Sequence, residues 1–439
     1  VQILRPDYVL TPEGVITDTD VAIEHGCIVD LRPASRQSNY TRRLPGKIII
    51  PGLVNAHSHA FQRAIRGLVQ RMGSTDDDFW SWRSAMYGVA GALTPDTIGP
   101  ISRLAFLEMA LGGVTAVGEF HYVHHQVDGR PYDDPNELAH RVIQAARDVG
   151  IRIALLRVSY STSAIGVPAR PEQRRFCDVS AHASLMALSQ LSHVSSDHVR
   201  IGLAPHSVRA VPENWLGELA SFPGVVHAHV AEQPAEVRQC MDALGRSPLA
   251  VFADSGLVSE RFTAVHLTWP SDGDLARLAG ANGTVCVCPT TEYDLGDGIF
   301  PLHDWRGRVS VGTDSHARID ILEEARLAHT VGRALAGRRG IGGERPASGI
   351  LRSACEGGAQ SLGFESGIAI GKPADLVAID LTSAAFLGVA PLEAIAFGAG
   401  ASNVTDVWVG GEEIVHDGHH ADHGQILEDA RRALAAVRL

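Results

Sequence analysis

The segment Pro51-Gly52-Leu53-Val54-Asn55-Ala56-His57-Ser58-His59 is a short apolar run that ends in two histidines spaced i, i+2. On an extended segment, side chains two apart point the same way. Both imidazoles can then reach one ion at roughly 2.0–2.1 Å. A lone His-x-His is weak evidence, because most such pairs are structural. It gains force when other polar residues fall at the same place in later apolar runs.

Seven further runs follow: Val114–Val117, Ile151–Leu156, Val199–Ala204, Val225–His229, Phe262–His266, Thr284–Cys288 and Val309–Asp314. Each of the eight is followed by a plausible helix. Strands that alternate with helices imply a parallel sheet, and near-continuous apolar runs suit strands buried on both faces. Eight such units predict an α/β fold closed into a (β/α)8 TIM-type barrel, whose active site lies at the C-terminal strand ends. His57 ends the first run, His229 the fifth, His266 the sixth and Asp314 the eighth. All four would meet at one face.

Outside the barrel, both chain ends read as β-rich. The N-terminal stretch has turn signals such as Thr11-Pro12-Glu13-Gly14 and Glu24-His25-Gly26, and a hairpin is expected near Val404–Gly411. The two ends are expected to join into one small β-sandwich: residues 1–48 and 368–439 with the barrel, 49–367, inserted between them. A helix over about 424–439 closes the chain. His419, His420 and His423 read as a solvated cluster.

Composition sets broad limits. The 439 residues are 45% hydrophobic and 20% charged, which suits a globular protein with a large core. A net charge of −12 argues against non-specific nucleic-acid binding. No apolar run is long enough to span a membrane, and no charged–apolar–small signal segment follows Val1-Gln2-Ile3, so a cytoplasmic location is expected. Six scattered cysteines form no CxxC pair, and Cys286 and Cys288 read as small core residues. A homodimer is the expected assembly, although no stretch of sequence specifies it.

The candidate site residues have bland readings beside the functional ones. His227 and His229 lie on the same alternating face; the strand end favours His229 as a ligand and leaves His227 as a packed ring. Glu232 is a proton shuttle beside a metal-bound water, or a helix-start carboxylate. Asp314 is a metal ligand that also accepts a proton, or an N-cap. His266 is a ligand or a hydrogen-bond donor to the hydroxide, and the second role is favoured. His316 either supports the site or is exposed. Three histidines and one aspartate suit one Zn²⁺, with iron or manganese also compatible.

These motifs resemble the amidohydrolase superfamily and, within it, the formimidoylglutamate deiminases. The likeness rests on His57–Ala64, Trp80-Ser81-Trp82-Arg83, Gly118–His125, Ala204–Pro212, His229–Gln233, Cys288–Glu292 and Leu295–Pro301. It implies metal ligands His57, His59, His229 and Asp314, proton handling by Glu232 and His266, and substrate contacts from Gln62, Arg83, Tyr122, His206 and Arg209. The implied substrate is a small dicarboxylate, N-formimino-L-glutamate, whose carboxylates Arg83 and Arg209 can grip in bidentate fashion. The products would be N-formyl-L-glutamate and ammonia, a step of histidine degradation. Related binuclear barrels need a bridging carboxylated lysine or a glutamate near the fourth strand. The only lysines here are Lys47 and Lys372, so one metal is expected. Leu267 departs from the pattern, which favours a smaller residue there.

Two other readings compete. A deaminase of an aminated heterocycle, a purine or triazine, would use the same metal chemistry with stacking aromatics, for which Trp80, Trp82 and Tyr122 are available. A non-catalytic metal scaffold would need no proton shuttle, and Glu232 with His266 argues against it.

Overall fold

The structure is a computed structural model that describes residues 1–35, 40–70, 79–341 and 345–438, with the side chains of 79–81 left aside. Eight parallel strands follow one another in chain order around a barrel. They are β1 (Leu53–Ser58), β2 (Val114–His121), β3 (Arg152–Ser159), β4 (Val199–Pro205), β5 (Val226–Val230), β6 (Phe262–His266), β7 (Thr284–Val287) and β8 (Arg308–Val311). Every residue of β2 and β3 is buried, as expected of strands covered by helices outside and side chains inside. The ring closes where β8 runs on to β1: the Thr313 and Asp314 N–H groups donate to the His57 carbonyl (3.1 and 3.0 Å), and His59 N–H donates to the Asp314 carbonyl (3.1 Å). The closure is thus made by the residues that carry the candidate site.

The intervening helices follow from amphipathic spacing. Glu137–Val149 turns Leu138, Val142, Ile143, Ala146 and Val149 inward, at the i, i+4, i+5, i+8 and i+11 positions of one helix face, and stops at Gly150, whose φ of 86° ends it.

The chain ends build a separate eight-stranded sheet. In it Arg42–Pro51 lies between the N-terminal strand Gln2–Thr11 and the C-terminal strand Leu376–Asp380. The sheet curls until its far strand, Cys27–Pro33, reaches the residues leading into Leu376: Ile28 N–H donates to the Lys372 carbonyl (2.9 Å) and Gly371 N–H to the Ile28 carbonyl (2.7 Å). The two layers enclose a core of their own that includes Leu4, Val21, Ile28, Leu44, Leu376 and Trp408. The expected hairpin pairs Val404–Val409 with Glu412–Val415. Its turn residues, Gly410 and Gly411, both have positive φ (56° and 76°), as a two-residue hairpin requires.

The last helix runs from His423 to Val437 and lies against Pro95–Leu111. One expectation fails here. His420 is buried, with Nε2 bonded to the Val149 carbonyl at 3.1 Å, so it anchors the C-terminal segment to the barrel while His419 stays exposed. Among the described residues no helix is long and apolar enough to cross a membrane.

Candidate metal centre and active site

Strand-end placement brings four donors together. His57 is the last residue but one of β1, His59 stands just beyond the strand, His229 lies in β5, and Asp314 follows β8. His57 Nε2 and His59 Nε2 lie 3.3 and 3.2 Å from one Asp314 oxygen, and His57 Nε2 lies 3.2 Å from His229 Nε2. All four donor atoms fall within 4.8 Å of one another, and all four residues are buried.

This donor set fits a metal ion. Ligands at about 2.0–2.1 Å around a tetrahedral ion stand roughly 3.3 Å apart, which is the spacing found. The rings are also turned for it. His59 Nδ1 bonds to the Phe120 carbonyl (2.9 Å) and His229 Nδ1 to the His206 carbonyl (3.1 Å), which leaves each Nε2 bare and facing the centre. The Asp314 carboxylate is held well below the usual range: burial opposes its charge, but His57 and His59 more than offset that. Its φ of 44° is a left-handed conformation, and His266 (70°), Leu267 (49°), Ala231 (49°) and His316 (61°) share that region. Strained backbone collects at functional sites. Leu267, fully buried at such an angle, explains why a smaller residue would sit there more easily.

His227 is the packed ring of the pair: its Nε2 donates to the Ser361 carbonyl at 2.9 Å, away from the cluster. His266 stacks on the His229 ring, with centroids 5.4 Å apart. Its Nδ1 bonds to Glu292 at 3.2 Å, and its buried Nε2 lies 3.8 Å from Glu232 without a hydrogen-bond partner. Burial would lower the pKa of His266, but the hydrogen bond to Glu292 and the charges of Glu232 and Asp314 lift it to about 10. Glu232 reaches from His266 to Arg209, whose Nη2 it accepts at 2.8 Å.

The five expected substrate contacts share one cavity with the cluster. Gln62, Arg83, Tyr122, His206 and Arg209 line it together with His59, His229, Glu232 and Asp314. Gln62 donates to the Tyr122 hydroxyl at 2.8 Å. Trp82 also lines this space, whereas the side chain of Trp80 is outside the described residues. A roomier cavity opens at the other end of the barrel, beside Asn282 and Arg308 at the starts of strands, and contains none of the clustered donors.

Two supporting residues, Glu292 and Glu119, had no assigned role in the sequence. Glu292 fixes His266 and also accepts Cys288 N–H at 2.8 Å. Glu119, from β2, accepts Ser58 Oγ–H (2.6 Å) and Ala60 N–H (2.8 Å), and so grips both neighbours of His59. Burial raises its pKa to about 7. His316 is buried, not exposed, and joins Ser58 (3.2 Å) to Thr313 (2.8 Å). Both glutamates stood in quoted motifs without a role, Glu292 three residues past a Pro at a helix start and Glu119 second in Gly118–His125. Cys286 and Cys288 are buried core residues.

The barrel, the flanking sheet and the metal-ready cluster define the class: the chain belongs to the amidohydrolase family, whose model matches residues 48–414. It is 38% identical to the formimidoylglutamate deiminase of Pseudomonas aeruginosa, over 94% of each chain. Among solved structures it resembles an amidohydrolase from Brucella melitensis (TM-score 0.90, 30% identity, all of both chains). It also resembles an adenosine deaminase from Xanthomonas campestris with bound zinc (TM-score 0.85, 25% identity, 100% of this chain and 98% of that one). Family and relatives together make this chain a hydrolytic deiminase.

Proposed function

We propose that the protein hydrolyses N-formimino-L-glutamate to N-formyl-L-glutamate and ammonia, with one zinc ion held by His57, His59, His229 and Asp314. The observation that carries the reading is the pair Arg83 and Arg209 in the cavity that is also lined by His59, His229 and Asp314. Guanidinium groups bind carboxylates in bidentate fashion, and this substrate carries two carboxylates beside its amidine. The 38% identity to a formimidoylglutamate deiminase supports the same choice.

Zinc bound by such donors lowers the pKa of water to about 7 and thereby supplies hydroxide at neutral pH. Asp314 accepts the proton that the attacking water gives up. His266, held by Glu292 and carrying a proton on Nε2, hydrogen-bonds the oxygen that attacks the formimino carbon. The proton on Asp314 passes to the formimino nitrogen; Glu232, a carboxylate within reach of both His266 and the cavity, then takes the remaining proton from the attacking oxygen and hands it to the same nitrogen, so that the C–N bond breaks, ammonia leaves and C=O forms. Arg83 and Arg209 take the carboxylates, while Gln62, Tyr122 and His206 supply neutral hydrogen bonds.

The second reading, deamination of an aminated heterocycle, is favoured by the likeness to an adenosine deaminase and by Trp82 in the lining. Ammonia release from zinc-loaded enzyme on formimino-L-glutamate, formimino-glycine and guanine separates the two. The proposal expects turnover of the first, far above the others. Activity on guanine alone would replace it with the heterocycle reading.

A further inference from the structure

One wall of the cavity is built from hydroxyls whose lone pairs are already filled. Tyr87 and Tyr160 both line it. The Tyr87 oxygen accepts Arg83 Nε–H at 2.5 Å and Gln173 Nε2–H at 3.0 Å. The Tyr160 oxygen accepts Gln173 Nε2–H at 2.6 Å and Arg83 Nη2–H at 3.4 Å. Gln173 is fully buried in the short helix Pro171–Phe176. Its orientation is fixed from behind, because its Oε1 accepts Arg170 N–H at 2.9 Å and a backbone amide can only donate. The side-chain NH2 group must therefore face the two tyrosines.

A tyrosine oxygen has two lone pairs and one proton. Here guanidinium and carboxamide donors occupy the lone pairs of both hydroxyls, so each proton needs an acceptor elsewhere. The two tyrosines are close enough to interact, and a bond between them would consume one proton. At least one remains, and it has no hydrogen-bond acceptor among the described residues. The cavity is where an acceptor can enter.

We propose that Tyr87 and Tyr160 form a specificity pair that donates at least one hydroxyl proton to a carboxylate of the bound ligand, and that Gln173 is the positioning residue that turns that proton toward the cavity. The ligand end that fits is an acceptor without protons, because the NH2 group of an amide, or an amine, would set donor against donor there. This deepens the proposed function and rests on it for the identity of the substrate: the carboxylate is the one farther from the formimino carbon, held between Arg83 and the two hydroxyls.

The test compares binding of two probes to zinc-loaded enzyme by calorimetry: N-formyl-L-glutamate and its neutral side-chain amide, N-formyl-L-glutamine. The variants are Tyr87→Phe, Tyr160→Phe and Gln173→Glu, which keep shape, and thermal melting checks folding. Glu at 173 offers acceptors where Gln offers donors, and so draws the hydroxyl protons inward. The wild type is expected to prefer the acid. Tyr160→Phe and Gln173→Glu should each weaken acid binding about tenfold or more, as loss of a hydrogen bond to a charged group does, and leave amide binding within about twofold. Equal loss for both probes, an unchanged acid-to-amide ratio, or a wild type that binds the two alike or binds neither would overturn the proposal. Turnover does not enter this comparison. A wild type that prefers the acid but fails on formimino-L-glutamate therefore rejects the substrate and keeps the hydroxyl arrangement.

Discussion

At the scale of single residues, the chemistry depends on where protons are held. His266 is gripped by Glu292 and faces the cluster through an Nε2 that no protein group occupies. Replacing His266 with Asn, or Glu232 with Gln, is expected to lower kcat by about 10²–10⁴-fold, the range of general acid–base catalysis, with metal content unchanged. Steady-state kinetics beside metal analysis on the same preparation measures this, and unchanged turnover in both variants would remove the proton scheme. Glu292→Gln has a different signature. The hydrogen bond that His266 donates to Glu292 is the largest of the effects that raise the His266 pKa to about 10. Without it the ring loses its proton at lower pH, so the alkaline limb of kcat/KM should move toward neutrality.

Between elements, the site depends on how closely β8 approaches β1. Gly312 lies where the chain leaves β8, and a Cβ placed there would meet the His57 Cβ at 2.7 Å, its carbonyl oxygen at 2.7 Å and its nitrogen at 2.8 Å. Backbone cannot retreat from such contacts as a flexible side chain can. Gly312→Ala is expected to cost about 2–4 kcal/mol of stability and to loosen the metal, as urea unfolding and metal competition would show. Glu119 ties β2 to the same strand end through Ser58 and Ala60. A partner behind a ligand typically contributes 10–100-fold in metal affinity, so Glu119→Gln should weaken zinc binding by about that factor while leaving the fold intact.

This scale also marks what could be read in the sequence. The eight apolar runs gave the barrel because burial on both faces leaves a linear trace. His57, His59, His229, His266 and Asp314 stood out because they terminate those runs. Glu119 and Glu292 did not, since their roles depend on which strand or helix lies beside another, and nothing local encodes that. Gln173 is remote from every motif, and its significance appears only when Tyr87 and Tyr160 meet it in space. His420 looked solvated beside His419 because a hydrophilic stretch hides a single ring turned inward.

At the scale of the whole molecule, buried neutral histidines make stability depend on acid. Burial lowers the pKa of His227 to about 4 and that of His121 to about 3, the latter with help from Arg157. In the unfolded chain both take up protons near pH 6.5, whereas in the folded chain they resist until pH 4 or below. Between these values the unfolded state binds more protons, so stability is full above about pH 6.5 and falls as pH is lowered toward 4. The two rings together should remove on the order of several kcal/mol by pH 4, visible as a falling urea midpoint. Chelation acts on the same balance by removing a ligand that binds only the folded state. It should lower the melting temperature and abolish ammonia release, and added zinc should restore both.

The claim beneath all of this is that three imidazoles and one carboxylate, brought from β1, β5 and the end of β8, hold a single ion. Anomalous diffraction from zinc-loaded crystals, collected on both sides of the zinc absorption edge, tests it without reference to any substrate. The expected result is one peak per chain, about 2.0–2.1 Å from His57, His59, His229 and Asp314. A map with no peak there, or with its peak at the neighbouring group His266, Cys288 and Glu292, would contradict it.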